Sequence, residues 1–328
     1  VTPTEPPRLD RSRVRTVPAR RRVSKVRRSD EAHPHRPGAS FAAFLDGLPD
    51  VLGAADLRAV LDAAARAHAR GRPLLWGLGA HVIKVGLAPV VVDLLERGLV
   101  SGILLNGAGC VHDLELAMMG ATSEDVAPAL DEGSFGMARE TAERLNRAIA
   151  RGAAEGLGMG AAVGRDILTG RDPHRSRSIL ATAARLGVPV TVHVAIGTDV
   201  HHMHPSADGA ALGATSYRDF ETAAALVAGL EGGVYFHVGS AVILPEVFLK
   251  AVALARNLGH RVRRFTTVNL DFVRLYRPLV NVVERPTRLG GRGISLVGQH
   301  EILVPLLAAG LIERTARGRA ARRRPGRR

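Results

Sequence analysis

Residues 193–210 read HVAIGTDVHHMHPSADGA and follow the apolar run LGVPVTV. Imidazole titrates near neutrality, so His193, His201, His202 and His204 could move protons, hold a metal or orient a ligand. Zinc or iron needs three or four converging ligands, with outer partners fixing each ring. There is no HExxH and no His/Cys/Cys pattern here, and on an extended segment His202 and His204 share a face that His201 does not. The expectation is a metal-free site in which one histidine is the general base, oriented by Asp199 or Asp208. A metal centre and a loop merely tied by its own hydrogen bonds stay open beside it. His112 and Asp113 form a second acid/base candidate, with helix capping by Asp113 as the alternative. Asn269 and Asp271 end the run TTVNLD and could meet a ribose or substrate. Lys84, between Ile83 and Val85, is either an imine-forming amine or a solvent-facing or phosphate-pairing cation.

The elements that must position these groups follow from alternating apolar runs. RPLLWGLG reads as a strand, residues 77–86 as a loop, and Pro89 as the first-turn proline of a helix to Glu96. VSGILLNGAG reads as a strand closed by a small-residue turn, with the next helix starting after His112. Helix 172–187, strand VPVTVHVA, the histidine loop and helix 217–232 follow. Strand GVYFHVGS, helix 244–259, strands RVRRFTTVNL and GISLVGQ, and helix HEILVPLLAAGLI complete the series. Continuously apolar strands alternating with helices imply an α/β fold, a doubly wound and mostly parallel sheet covered on both faces. Ligands then lie on the loops at the carboxyl ends of the strands.

With 328 residues, 46% of them hydrophobic, the chain can bury one substantial core. The formal charge of +14 is concentrated in residues 8–37 and 314–328, which are rich in arginine; Lys25, Lys84 and Lys250 are the lysines. Residues 1–40 and 314–328 read as disordered basic tails around a single α/β domain, 41–313. Tail contacts with nucleic acid would be nonspecific, since aromatics are 4% of the chain and no RNA-binding module is evident. The single cysteine, Cys110, the absence of a long apolar run and the absence of a signal-peptide pattern point to a cytoplasmic protein without membrane association.

The loops at 77–86, 106–113, 193–209 and 237–246 lack a GxGxxG or P-loop pattern. Their order, with the segments 77–120, 178–199, 232–245 and 293–312, resembles the deoxyhypusine synthase family across residues 40–312. The resemblance implies a Rossmann-like NAD-binding fold and a homotetramer with sites at subunit interfaces. It also implies NAD-dependent dehydrogenation of spermidine, then aminobutyl transfer through a lysine imine onto a translation-factor lysine or another amine. On this chain NAD would meet His81 and Val82, then Asn106, Gly107, Ala108 and Gly109. Asp113, Gly239 and Ser240 would lie nearby, with Gln299 and His300 closing the pocket; Asp271 joins these cofactor candidates from its own strand-end position.

The chain departs from that family at its chemistry. Where the family's imine-forming lysine belongs, the sequence is PTRLGGRGISLVG, and neither Arg288 nor Arg292 can replace it, because a guanidinium stays protonated at neutral pH. Pro245 falls about where the family's catalytic histidine follows its glycine turn, and Gly197 about where an aspartate belongs. The expectation is therefore an NAD-using enzyme on a polyamine or other small amine, with chemistry altered from the synthase. A homo-oligomeric binding or scaffold protein of the same fold, and a metal enzyme using the histidine cluster, are the alternatives.

Overall fold

The computed structural model describes residues 7–323, with side chains through residue 316. Helices α1 (Phe41–Gly47) and α2 (Leu52–Ala69) precede β1 (Leu74–Leu78), followed by the short α3 (His81–Lys84) and by α4 (Ala88–Glu96). Strand β2 (Gly102–Asn106) then runs into α5 (Gly107–Met119), α6 (Val126–Asp131), α7 (Arg139–Ala154), α8 (Met159–Thr169) and α9 (Ile179–Leu186). Strand β3 (Val190–His193), α10 (Gly209–Ala228), β4 (Val234–Val238) and α11 (Ile243–Asn257) come next. Strand β5 (Thr266–Asp271) leads into a turn of helix α12 (Tyr276–Pro278) and a π-helical stretch, Leu279–Glu284. Finally come β6 (Arg292–Val297) and α13 (His300–Arg323).

The six strands form one parallel sheet in the order β3-β2-β1-β4-β5-β6. The α/β class with a parallel sheet is therefore as the apolar runs implied. In β1 and β4 every residue is buried, as a strand covered on both faces requires. Side-chain alternation splits them between two cores. Leu74, Trp76, Val234 and Phe236 join the core under α2, α4 and α9, while Leu75 and Tyr235 join the one under α10 and α11. Trp76 stacks on Phe236 at 4.2 Å and Tyr235 on Phe248 at 3.9 Å. After β3 the chain returns to the other side of β1, so the order reverses between β1 and β4. A crevice opens at such a reversal, at the carboxyl edge of the sheet.

Several local readings need correction. Helix α5 begins at Gly107, directly after β2, with the Asn106 side chain accepting from Gly109 N at 3.2 Å. His112 and Asp113 thus lie inside a helix rather than in a turn before one. Helix α9 starts only at Ile179, where Ser178 caps Ala181 N. Helices α6, α7 and α8 fill a stretch that the apolar pattern left unassigned. Residues 7–40 carry short 3-10 turns and bury no side chain, with Asp30 and His33 paired through the backbone to Asp50 and Gly47. Helix α13 continues past residue 313, and Arg314 reaches Asp46 at 3.2 Å and Asp62 at 3.6 Å. The rest of the expected C-terminal tail, 324–328, and residues 1–6 lie outside the described residues. Among the described residues no helix is long and apolar enough to cross a membrane.

Candidate active site

Two groups of the expected residues meet along the carboxyl edge, joined by α3. On the β2–β3 side a cavity of about 500 Å³ is lined by Lys84, His112, Glu115, Glu124, Phe135 and Asp199, among others. At the β1–β4 reversal, His81, Phe272 and His300 cluster, with ring centroids 5.3–6.2 Å apart.

His112 is the best-defined group in the cavity. Its Nδ1 lies 2.7 Å from Thr122 Oγ1, and that hydroxyl donates to Glu115 Oε2 at 2.5 Å. A hydroxyl has one proton and an ionised carboxylate only accepts. Thr122 therefore gives its proton to Glu115 and must accept from His112, which places the ring proton on Nδ1. Nε2 keeps its lone pair on a ring that lines the cavity. Thr141 Oγ1 holds the other Glu115 oxygen at 3.1 Å. Burial, with Lys84 a lesser cause, lowers the His112 pKa to about 4, so the ring is neutral at pH 7. The bond chain predicts a nitrogen NMR spectrum with the Nδ1–H tautomer from pH 5 to 8. Thr122→Val, which removes the acceptor, should shift the population toward Nε2–H; an Nε2–H wild type would refute the relay.

Asp199 is the other notable group. Its Oδ2 lies 2.0 Å from where a β-carbon on Gly107 would be, so only glycine admits it over the start of α5. There it accepts from Ala108 N–H, while Oδ2 is buried without a donor. Burial raises this carboxyl to about 6 against that one hydrogen bond.

The remaining histidines of the loop are committed elsewhere. His202 Nδ1 accepts from Gly197 N at 3.1 Å and Asp199 N at 3.3 Å, so the proton sits on Nε2, 3.8 Å from Asp199 Oδ2. The ring closes the turn and does not line the cavity. His201 is fully buried against it, at 4.4 Å between centroids, and burial lowers its pKa to about 4. His193, at the end of β3, bonds Thr191 Oγ1 at 3.0 Å and is likewise lowered to about 4 by burial. His204 pairs with Ser206 at 2.8 Å. Among the described residues no group of three or more His, Cys, Asp or Glu is placed to hold a metal ion.

The expected cofactor residues divide in the same way. Asp113 is buried and caps α9, accepting from Ile179 N at 2.8 Å, Leu180 N at 3.1 Å and Ser178 Oγ at 2.5 Å. It is a cap, but of a different helix from its own. Val82 is core, and Gln299 is exposed at the start of α13. Gly109 packs on Leu105, where a β-carbon would fall 2.6 Å from Cδ1. At the reversal, Gly239 (φ 69°) fits beneath His300, and Ser240 Oγ accepts from Leu244 N at 3.2 Å. Asp271 Oδ1 accepts from Phe272 N at 2.8 Å and lies 3.9 Å from His300 Nε2. Burial, then His300, lowers the His81 pKa. Arg288 and Arg292 precede or open β6, at the amino edge, away from the cavity. Pro245 sits in the first turn of α11.

Sequence reasoning missed Glu115 and Thr122. Glu115 shares a face with His112 three residues earlier, but only on a helix that already includes both.

No family model matches the chain, and no curated protein matches it by sequence. Solved structures do resemble it. A putative deoxyhypusine synthase from Entamoeba histolytica superposes with a TM-score of 0.52 at 9% identity, covering 86% of this chain and 96% of that one. The likeness is one of fold. A conserved putative LOR/SDH protein from Methanococcus maripaludis S2 gives a TM-score of 0.51 at 15% identity, over 80% and 71% of the two chains. Unliganded AgrE gives 0.50 at 18% identity over 80% of this chain, which spans about a third (34%) of AgrE's length. The strand order and these superpositions together describe a Rossmann-like α/β fold.

Proposed function

We propose that the protein is an NAD-dependent enzyme of transferase or oxidoreductase type acting on a polyamine or another small amine. NAD would span the β1–β4 crevice and the amine would enter the adjoining cavity. The observation that carries this reading is the convergence of Lys84, His112, Glu115 and Asp199 on one cavity beside a Rossmann-type reversal. Glu115, Glu124 and Asp199 outnumber the Lys84 ammonium, which favours a cationic ligand.

The residues at the reversal fit a ligand rich in amide and hydroxyl donors. His300 Nε2 faces the Leu270 carbonyl at 3.2 Å and His237 Nε2 faces that of Ser240 at 2.7 Å, so both must donate there. Each Nδ1 is left as a buried acceptor without a donor. With Gly239, Asp271 and His81 these would hold the cofactor, whose chemistry when bound is hydride acceptance from carbon. The protein's part is proton handling. Nε2 of neutral His112 takes the proton from the amine nitrogen, and Glu115 acts through Thr122 to stabilise the resulting imidazolium. Lys84 is the amine available for an imine, with its nitrogen lone pair attacking the substrate carbon and the displaced amine leaving. Assembly as a homotetramer belongs to the same reading.

The experiment is mass spectrometry of nucleotide co-purifying with the full chain. NAD titration and an NADH assay over spermidine and simpler diamines complete it. The expected result is stoichiometric NAD binding, amine-dependent NADH and no aminobutyl transfer to the translation-factor acceptor. No NAD binding, or no NADH with any amine, would count for a non-catalytic scaffold.

A further inference from the structure

A second concavity lies on the opposite edge of the sheet. It sits between the last turns of α2 and the amino ends of β4, β5 and β6, with a volume of about 210 Å³. Arg66, Arg70, Arg264 and Arg292 line it, and no carboxylate does. Arg66 and Arg70, one helical turn apart, have neither an ion pair nor a side-chain hydrogen bond among the described residues. The nearest acids reach the other two only at length, Glu231 to Arg264 at 3.5 Å and Asp56 to Arg292 at 3.7 Å. Cations near a helix C-terminus offset its partial negative charge, but about half an elementary charge cannot balance two guanidinium groups.

The facing wall has no side chains for packing reasons. A β-carbon on Gly233 would fall 2.5 Å from Pro73 O, and one on Gly291 2.7 Å from Phe265 O. Gly232 and Gly290 have φ of 77° and 104°, where only glycine is unstrained. Two glycine pairs thus open a slot that four guanidinium groups overlook.

We propose that this slot binds the phosphate or diphosphate group of a small molecule. Guanidinium forks match phosphoryl oxygens two at a time, and mutual repulsion among four clustered guanidinium groups, two of them without an acidic partner, is relieved by a polyanion. Phe265, the aromatic in the lining, is buried at 3% exposure, so no ring is offered for a nucleobase to stack on, which favours a phosphoryl group over a nucleic acid strand. The strands separate the slot from the His112 cavity by roughly 17–20 Å, so its occupant is a ligand distinct from the amine.

The test is calorimetric titration of the full chain with inorganic pyrophosphate, with sulfate and a single-stranded oligonucleotide as comparison arms. Expected are one saturable site per chain, preference for pyrophosphate over sulfate of at least tenfold, and a raised melting temperature. Arg66→Gln/Arg70→Gln should weaken binding at least tenfold, and Arg70→Lys by less, because it keeps the charge and loses the fork. A tail variant, Arg20→Gln/Arg21→Gln/Arg22→Gln, should bind as wild type does. Equal affinity for sulfate, loss of binding in the tail variant alone, or no binding would overturn the proposal. So would oligonucleotide binding that displaces pyrophosphate and depends equally on Arg66 and Arg70. None of these outcomes depends on the NAD reading.

Discussion

An Asp219→Ala variant should be roughly 3–5 kcal/mol less stable than the wild type, because it removes the shared acceptor of three buried backbone N–H groups, each costing about 1–3 kcal/mol when left unpaired. For a chain of this size that corresponds to a melting temperature lower by about 10 °C. Asp219 lies on α10 and is 2% exposed. Its Oδ2 accepts from Gly160 N at 2.9 Å and Val192 N at 2.8 Å, and Met159 N also donates to the carboxylate. One side chain therefore ties α10 to the first turn of α8 and to β3, the strand that presents the Asp199 loop. Alanine would leave those N–H groups buried without acceptors. Gly158 records the same closeness, since a β-carbon there would collide with Asp219 Oδ1.

Burial raises the Asp219 carboxyl to about 7, against three opposing backbone N–H bonds. The native state therefore holds this proton more tightly than the unfolded chain, whose carboxyl titrates near 3.8. Stability from this group is greatest below that value and falls as pH rises through 7. Asp219→Asn keeps one acceptor oxygen and cannot titrate, so the wild type's margin over it should shrink from pH 5 to pH 8. Chemical denaturation at both pH values checks this. A melting temperature within a degree or two of wild type for Asp219→Ala would remove Asp219 from its tethering role.

The strands were legible because Leu, Val and Ile run continuously between glycine and proline punctuation. Their order was not, because pairing of β1 with β4 joins residues about 160 positions apart. The error at α5 has a specific cause. Gly107 and Gly109 have poor helix propensity and read as a turn, yet both lie in the helix because Asp199 and Leu105 press against them. Starting the helix after His112 hid the His112–Glu115 face, and with it the relay through Thr122. The histidine loop shows the opposite limit. Its composition suggested chemistry, but His202 accepts from two backbone N–H groups and His201 is packed beneath it. Of that loop's candidates, Asp199 is the one the cavity shares. Residue type showed where polar groups cluster, while the choice of base depended on who donates to whom.

That choice leads to the largest expected functional effect. His112→Phe keeps a planar ring of similar size and removes Nε2, so amine-dependent NADH formation should fall by roughly 10²-fold or more, the usual loss for a general base. The loss should appear in kcat, with NAD affinity unchanged, because the ring is on the β2–β3 side of α3 and the proposed cofactor residues are at the reversal. Thr122→Val should cost less, since it leaves Nε2 in place but frees the ring to turn and change tautomer. Glu115→Gln should resemble Thr122→Val, because the neutral amide no longer stabilises a protonated ring through the threonine. The pH profile supplies a sign that a purely structural role would not produce. With the His112 pKa lowered to about 4, the free base is present throughout pH 5–8, so the group should not limit the rate there. Activity should be lost only as the pH falls through 4 and Nε2 is protonated. In Thr122→Val the protonated ring loses its link to Glu115, so the acid limb should move to lower pH. A His112→Phe enzyme with full turnover would end the assignment of His112 as the base. A wild-type acid limb near 6.5, with no change in Thr122→Val, would place the base elsewhere in the cavity.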